Sequence, residues 1–241
     1  MRSVPADIGA FIFDVDGVIA DTAPLHAAAW RRLAEEVGLP FDESLVDVVR
    51  GLSRADALNK LLAGRPVDPR AFEEMMARKN RYFVASLETL GPGDLLPGVA
   101  PLVDALTRLG VKLAAASVSR NARTVLRRVG LTDCFEAIID GRDIAEHPGG
   151  PGRLALAAAA LCVAPRRCIV VEDAAPGIAA ARQLGMRTIG IGSPDRLPAA
   201  DLLFHSLRGV EAGTLLHWLS RMERERILVP AGLLRWLSQS D

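Results

Sequence analysis

Two pairs of acidic residues stand where apolar runs of the sequence end. Asp14 and Asp16 follow the first of these runs, and Glu172 and Asp173 follow a later one. Asp14 and Asp16 lie on the same side of a strand, because side chains alternate along it. Carboxylates so close together favour a divalent cation or a raised pKa, although two acids could also merely cap a loop. Two such strand ends side by side would form an oxygen-rich site suited to Mg²⁺ and a substrate phosphate.

A third apolar run is followed by small polar residues. Ser117, Ser119 and Asn121 stand there, at the point where a helix is predicted to begin. Hydroxyl groups and free backbone N–H groups at a helix start bind anions well. Taken alone, Ser119 and Asn121 fit N-caps of that helix better than they fit ligands of an anion. Beside an acidic metal site, however, an anion site indicates phosphate.

The elements that must position these residues alternate between strand and helix. The predicted strands cover 10–13, 111–116, 137–139, 169–171 and 188–191, and the predicted helices between them cover 99–109, 121–129, 154–161 and 174–184. Such alternation is typical of an α/β fold with a doubly wound parallel sheet, whose ligands lie beyond the carboxyl ends of the strands.

The alternation is interrupted by a long helical stretch. Helices are predicted there over 24–37, 43–50, 55–62 and 69–90. We interpret residues 21–90 as an inserted α-helical cap domain on a core formed by 1–20 and 91–209. The amphipathic remainder, 210–241, is predicted to be a C-terminal helical extension that folds back on the core or else forms a dimer or partner surface.

Composition limits the classes of protein to consider. The chain has 241 residues, of which 50% are hydrophobic and 24% charged, as in an ordinary folded protein. Its 29 basic and 29 acidic residues cancel, so no global positive field attracts nucleic acid. Its longest apolar run is shorter than the roughly 20 residues of a membrane span. Three cysteines without CxxC spacing indicate reduced thiols. We expect a cytoplasmic protein with no nucleic-acid or membrane partner, monomeric or else a homodimer through 210–241.

From about residue 8 to residue 205 the sequence resembles the haloacid dehalogenase superfamily of aspartate-nucleophile phosphotransferases, and within it the β-phosphoglucomutase-like branch. The stretches that carry the resemblance are 13–22, His26, Trp30, 50–54, 78–80, 117–121, 172–173 and 177–178. Each is weak alone, but their order and spacing together are specific. The family fold is a doubly wound, Rossmann-like core with an α-helical cap inserted after the first strand, as the periodicity also predicts.

The resemblance implies roles for the acidic residues. Asp14 would be the nucleophile that becomes an aspartyl phosphate. Asp16 would be the general acid/base, and its backbone carbonyl would also bind the metal. The cofactor Mg²⁺ would be held by Asp14, Asp16 and Asp173, with Glu172 completing the site.

The resemblance also implies a set of substrate-binding residues. Ser117 would hold a phosphoryl oxygen, and Arg54 would bind the second phosphate of a small phosphorylated sugar. The remaining implied residues are Thr22, His26, Arg50, Gly51, Lys79, Asn80, Ser119 and Asn121. Without the resemblance, the charged residues of the cap would be interpreted as exposed helix charges.

One segment departs from the family pattern. The family carries a lysine after the third strand, followed by a proline-rich turn with an acid, and this lysine steadies the charge of nucleophile and phosphate. Here His147 occupies the lysine position, the acid is missing and one residue is inserted. We take His147 as a candidate catalytic residue. The cation could also come from Arg142 or Arg153, or be absent.

Together these features predict Mg²⁺-dependent phosphoryl transfer on sugar phosphates through an aspartyl phosphate, most like that of β-phosphoglucomutase. A sugar-phosphate phosphatase, in which water resolves the intermediate, is one alternative. A catalytically degenerate protein that binds a phosphorylated ligand or a partner is another. A dehalogenase is disfavoured, because those relatives generally lack the aspartate found here at Asp16.

Overall fold

The computed structural model describes residues 4–42, 44–150 and 152–225. Its strands are β1 (Ala10–Phe13), β2 (Lys112–Ala116), β3 (Ala137–Ile139), β4 (Cys168–Glu172), β5 (Arg187–Ile191) and β6 (Leu202–Phe204). They form one parallel sheet in the order β3-β2-β1-β4-β5-β6. The predicted doubly wound parallel sheet is confirmed. The sequence pattern did not predict β6, a three-residue strand at one edge of the sheet.

The described α-helices are α1 (Ala23–Val37), α2 (Ser44–Val48), α3 (Arg54–Leu62), α4 (Pro69–Ser86), α5 (Val99–Arg108), α6 (Ala122–Val129), α7 (Gly141–Ala145), α8 (Arg153–Ala160), α9 (Ala175–Gln183) and α10 (Ala212–Glu225). The first four lie between β1 and α5, where the helical insertion is predicted. The limits 21–90 of a cap domain stay a prediction. Helix α4 is shorter than expected, because a 3-10 turn over Leu87–Thr89 follows it.

Successive side chains of the central strands point alternately to the two faces of the sheet. Phe11 and Phe13 of β1 belong to the same buried cluster as Leu102 of α5. Ile12 belongs to a second cluster, which includes Leu154 of α8. Even-numbered residues of β1 therefore face α8, and those of β4 lie on the same side of the sheet, since Val170 belongs to the second cluster.

The cap helices α1–α4 have a hydrophobic cluster of their own. Trp30 and Leu33 of α1 pack there with Leu58 and Leu61 of α3. Helix α4 begins after Asp68, whose side chain accepts hydrogen bonds from the backbone N–H groups of the first turn, as an N-cap does. The cap helices thus bury an apolar cluster separate from those of the sheet.

The predicted C-terminal extension is described only as far as residue 225. Within it, Leu215, Leu216 and Leu219 of α10 are buried in the same cluster as Phe11. The beginning of the extension therefore folds back on the core, and residues 226–241 lie outside the described part of the chain. Across the described residues, none of the helices has the length and apolar character needed to cross a bilayer.

Candidate active site

The acidic residues at the carboxyl ends of β1 and β4 meet at one edge of the sheet. The two strands are hydrogen-bonded neighbours in parallel register, with Phe13 opposite Val171. Carboxylate oxygens of Asp14, Glu172 and Asp173 consequently lie within 4.8 Å of one another, and all three residues are buried. The sequence prediction that these strand ends form one acidic cluster is confirmed.

This acidic cluster is electrostatically crowded. Burial, and then the nearby charge of Glu172, raises the pKa of Asp14 well above its usual value. Burial likewise raises the pKa of Glu172 and that of Asp173. A hard cation prefers oxygen ligands, and its charge would stabilise the ionised forms of these three buried carboxylates. The cluster could therefore hold a metal ion.

The carboxylate of Asp16 lies apart from the cluster and is held by three polar neighbours. It accepts hydrogen bonds from the Thr22 hydroxyl at 2.6 Å and from the Ser117 hydroxyl at 3.1 Å. His26 Nε2 lies 3.6 Å from Asp16 Oδ1. Burial alone would raise the pKa of Asp16, but His26 and the two hydroxyls outweigh it and lower the pKa. Asp16 is thus an ionised base fixed in one orientation.

Behind Asp16, the imidazole of His26 contacts a buried lysine. Lys79 Nζ lies 2.7 Å from His26 Nδ1 and packs against the rings of Trp30 and Phe83. Burial, and then the charge of Arg54, lowers the pKa of Lys79 to about 7. Burial, and then Lys79, lowers the pKa of His26. His26 therefore connects Asp16 to a lysine that titrates near neutral pH.

A second polar group joins the cap helices to the start of α6. Asn80 Oδ1 accepts hydrogen bonds from Arg54 at 2.7 Å and from the Asn121 side chain at 3.0 Å. Asn121 makes no side-chain capping bond to α6, whereas the Ser119 hydroxyl accepts from the Asn121 backbone N–H at 3.2 Å. Burial, and then the charge of Arg120, lowers the pKa of Arg54. Because the positive charges of Arg54 and Arg120 repel each other, an anion beside them would be stabilised.

The loop before α3 closes against the core. Arg50 Nη1 donates to Asp173 Oδ2 at 2.6 Å, which links the cap to the acidic cluster. Gly51 has φ +71°, and a Cβ added there would lie 2.5 Å from the Cβ of Ala174. A glycine at this position therefore lets the loop approach the core closely.

Most of these groups line one cavity of about 620 Å³ between the cap helices and the sheet, whereas Glu172, Asp173 and Asn80 do not line it. The predicted site residues that line it are Asp14, Asp16, His26, Arg50, Gly51, Arg54, Lys79, Ser117, Ser119 and Asn121. Thr22 reaches it through its hydrogen bond to Asp16. Arg120 also lines the cavity. Arg120 was not predicted as a site residue, although its charge between Ser119 and Asn121 was a signal for it.

The structure does not bring His147 into this cavity. Its side chain is exposed, and its Nδ1 lies 2.9 Å from the backbone carbonyl of Asp143, one turn earlier in the chain. Arg142 is exposed as well. Arg153, the third alternative for a cation, is buried against Glu172 and Asp14 instead.

Comparisons with known proteins identify the family of this chain. Residues 8–185 match the family model described as haloacid dehalogenase-like hydrolase. The chain is 38% identical to a β-phosphoglucomutase of Bacillus subtilis (strain 168), over 80% of this chain and 88% of the relative. It is 32% identical to the fructose-1-phosphate phosphatase YqaB of Escherichia coli (strain K12), over 75% of this chain and 94% of the relative.

A solved structure shares this fold over most of the chain. The crystal structure of a β-phosphoglucomutase from Clostridium difficile superposes with a TM-score of 0.84 at 31% identity, covering 90% of this chain and 99% of that one. The resemblance expected from the motifs is confirmed by these matches and by the family model. The protein is therefore an enzyme of the haloacid dehalogenase-like hydrolase family.

Proposed function

We propose that this enzyme is a Mg²⁺-dependent sugar phosphomutase that works through an aspartyl phosphate on Asp14. The observation that carries the proposal is that one cavity is lined both by Asp14 and Asp16 and by Arg54 with Asn121, whose N–H groups are suited to a second phosphate. A mutase needs two phosphate positions, because its sugar bears two phosphates midway through the reaction. The similarity to the Bacillus subtilis β-phosphoglucomutase supports the same conclusion.

The residues at the end of β1 divide the chemistry between them. In one half-reaction a bond forms between an Asp14 oxygen and phosphorus while the bond from phosphorus to the sugar oxygen breaks, and Asp16 gives that oxygen a proton. In the reverse sense, a sugar hydroxyl attacks the aspartyl phosphate and Asp16 takes its proton. The lowered pKa of Asp16 suits this second half-reaction, since its carboxylate is already ionised.

The metal would be Mg²⁺, held by Asp14, Asp173 and the backbone carbonyl of Asp16, with Glu172 close by. The crowded carboxylates with raised pKa values support this choice, because Mg²⁺ prefers oxygen ligands and offsets their charge. When bound, it supplies the positive charge that lets an anionic nucleophile approach an anionic phosphate.

A phosphatase acting on sugar phosphates is the second candidate. An ionised Asp16 could activate water as well as a sugar hydroxyl. The Escherichia coli relative, named a fructose-1-phosphate phosphatase, favours it. The two candidates differ in the group that attacks the aspartyl phosphate. It is a sugar hydroxyl in the mutase and water in the phosphatase.

The distinguishing experiment follows both products at once. The enzyme is incubated with Mg²⁺ and a panel of α- and β-hexose 1-phosphates, with or without glucose 1,6-bisphosphate, and ³¹P NMR records isomer and inorganic phosphate. A mutase converts a hexose 1-phosphate to the 6-phosphate of the same hexose only when the bisphosphate is present, and it releases little inorganic phosphate. Release of inorganic phosphate without a bisphosphate requirement identifies the phosphatase. If neither product appears with Mg²⁺, or if EDTA leaves the rate unchanged, the proposal is wrong.

The Arg54→Ala variant is expected to weaken binding of a bisphosphorylated sugar about 30-fold or more, because losing a charged phosphate donor costs a few kcal/mol. Hydrolysis of p-nitrophenyl phosphate, which has no second phosphate, should change less than threefold. Isothermal titration with glucose 1,6-bisphosphate measures the first quantity. Arg70→Ala is the matched control, since Arg70 is an exposed arginine of α4. Equal losses for both ligands would show that Arg54 does not contact a second phosphate.

A further inference from the structure

The cavity extends beyond its polar site residues into the space between the cap helices. Six apolar side chains form its wall there, and we call this part the apolar chamber: Trp30, Phe41, Leu45, Val49, Leu61 and Met76. Trp30 and Leu61 are buried and the other four are half-buried. All six belong to the hydrophobic cluster of the cap or pack against it. These side chains therefore contact that cluster on one side and border the cavity on another.

Three cap helices run from the polar end of the cavity to the apolar chamber. Residues three, four or seven positions apart lie on the same face of a helix. Each of α1, α3 and α4 carries one such pair, with one residue at the polar end and one in the chamber: His26 with Trp30, Arg54 with Leu61, and Lys79 with Met76. The two residues of a pair are separated by about 5 to 10 Å along the helix axis. The polar end and the chamber are therefore adjoining parts of one space.

The apolar chamber does not suit a sugar. Hexose hydroxyls need hydrogen-bond partners when they are buried, and aliphatic walls offer none. An apolar group, in contrast, is stabilised there in proportion to the area that it removes from water. The volume of about 620 Å³ is typical of sites that bind ligands through apolar walls and a few polar groups. The cavity therefore suits a ligand that is anionic at one end and apolar at the other.

We propose that Arg54 and the apolar chamber together form a site for a phosphate monoester whose organic group is aromatic. The phosphate accepts hydrogen bonds from Arg54, and the ring lies in the chamber beside Trp30 and Phe41, because aromatic rings attract one another beyond the effect of burial. The inference rests on the phosphate-binding role proposed for Arg54. Such a ligand takes the position of the second sugar phosphate and so competes with a sugar bisphosphate.

The test measures binding in EDTA, where no metal draws the phosphate to the acidic cluster and no turnover occurs. Isothermal titration compares methyl phosphate, phenyl phosphate and 2-naphthyl phosphate. Affinity should rise in that order, with 2-naphthyl phosphate binding about 30-fold more tightly than methyl phosphate. Arg54→Ala should weaken binding of all three esters by the same factor, about tenfold or more. Glucose 1,6-bisphosphate should displace 2-naphthyl phosphate from the wild type.

A matched pair of α1 variants tests the position of the ring. Ala27 lines the cavity three residues before Trp30, whereas its neighbour Ala28 is exposed and does not line the cavity. Glutamine is a good helix former, so both substitutions suit α1. Ala27→Gln should reduce the 30-fold preference for 2-naphthyl phosphate to less than fivefold and leave methyl phosphate within twofold. Ala28→Gln should bind all three esters as the wild type does.

Three results would overturn the proposal: equal affinity of the wild type for methyl and 2-naphthyl phosphate, equal preferences in Ala27→Gln and Ala28→Gln, or unchanged binding in Arg54→Ala. If Ala27→Gln does not fold, Val49→Thr replaces it, since it keeps the shape of the side chain and adds a hydroxyl to the chamber. A threefold or larger loss for 2-naphthyl phosphate alone then supports the proposal, and no loss overturns it. A wild type that shows the expected preference but converts no sugar phosphate with Mg²⁺ would contradict the proposed function alone.

Discussion

Asp14→Asn is expected to abolish turnover, lowering kcat by about 10⁴-fold or more, as the loss of a nucleophile does in other enzymes. An amide is a poor nucleophile toward phosphorus, so no aspartyl phosphate forms. Steady-state assays with a sugar phosphate and with p-nitrophenyl phosphate should both fall to the background rate. Acid-quenched protein incubated with ³²P-labelled substrate should carry label in the wild type and none in the variant.

The same substitution should leave the fold intact and make the metal-free protein more stable near neutral pH. Burial, and then Glu172, raises the pKa of Asp14, so the native state keeps this proton where the unfolded chain has released it. The wild type therefore loses stability as the pH rises above the ordinary range of an aspartate, and Asp14→Asn does not incur this loss. Thermal unfolding in EDTA should show the higher Tm for the variant at pH 7 and equal values in acid.

Two results would contradict the assignment of the nucleophile. One is retention of labelled phosphoenzyme in Asp14→Asn. The other is attachment of beryllium fluoride to a different carboxylate. Lys112→Met is a suitable control for general perturbation of the sheet, because Lys112 lies on β2 and its ammonium group bonds to the carbonyl of Leu161. It should retain wild-type kcat.

The acidic cluster was predictable because it depends on short-range rules. Apolar runs end at Phe13 and Val171, and the alternation of strand and helix makes those strands parallel. The carboxyl ends of parallel strands meet at one edge of the sheet, where Asp14 and Glu172 follow directly. No knowledge of side-chain packing was needed.

The spacing of residues along the sequence did not identify which basic residue lies beside the nucleophile. His147 stands at the position that counting residues favours, but it lies two residues after the end of α7, and its ring bonds back to the backbone carbonyl of Asp143. Arg153 looks like an ordinary exposed charge at a helix start. Only the contact of α8 with the even-numbered face of the sheet places it beside Asp14 and Glu172, and that contact is tertiary.

The role of Asn121 depended on the relative placement of two regions. As the residue before α6 it had the position of an N-cap, and its type fits that role. Its amide instead donates to Asn80 of α4. Sequence alone does not give the distance between the cap helices and the core. Hydrogen bonds between these two regions therefore cannot be predicted from it.

Asp16→Asn is expected to discriminate between substrates by the basicity of their leaving groups. A sugar alkoxide needs a proton as it departs, so kcat/KM for a sugar phosphate should fall about 10³-fold, within the usual range for general acid–base catalysis. The p-nitrophenolate ion leaves without a proton, and kcat/KM for p-nitrophenyl phosphate should fall less than tenfold. The second-order constant is the informative one, because it covers steps only up to formation of the aspartyl phosphate.

The variant should also accumulate that intermediate. An amide at this position cannot take a proton from the attacking hydroxyl, so breakdown of the aspartyl phosphate slows more than its formation from p-nitrophenyl phosphate. Stopped-flow absorbance should show a burst of p-nitrophenolate close to one equivalent per enzyme in Asp16→Asn, followed by a slow steady rate. Thr22 and Ser117 hydroxyls, which donate to Asp16, can turn to accept from or donate to the amide, so the site should keep its shape. Equal losses of kcat/KM for the two substrates, with no burst, would show that Asp16 positions the substrate and does not transfer a proton.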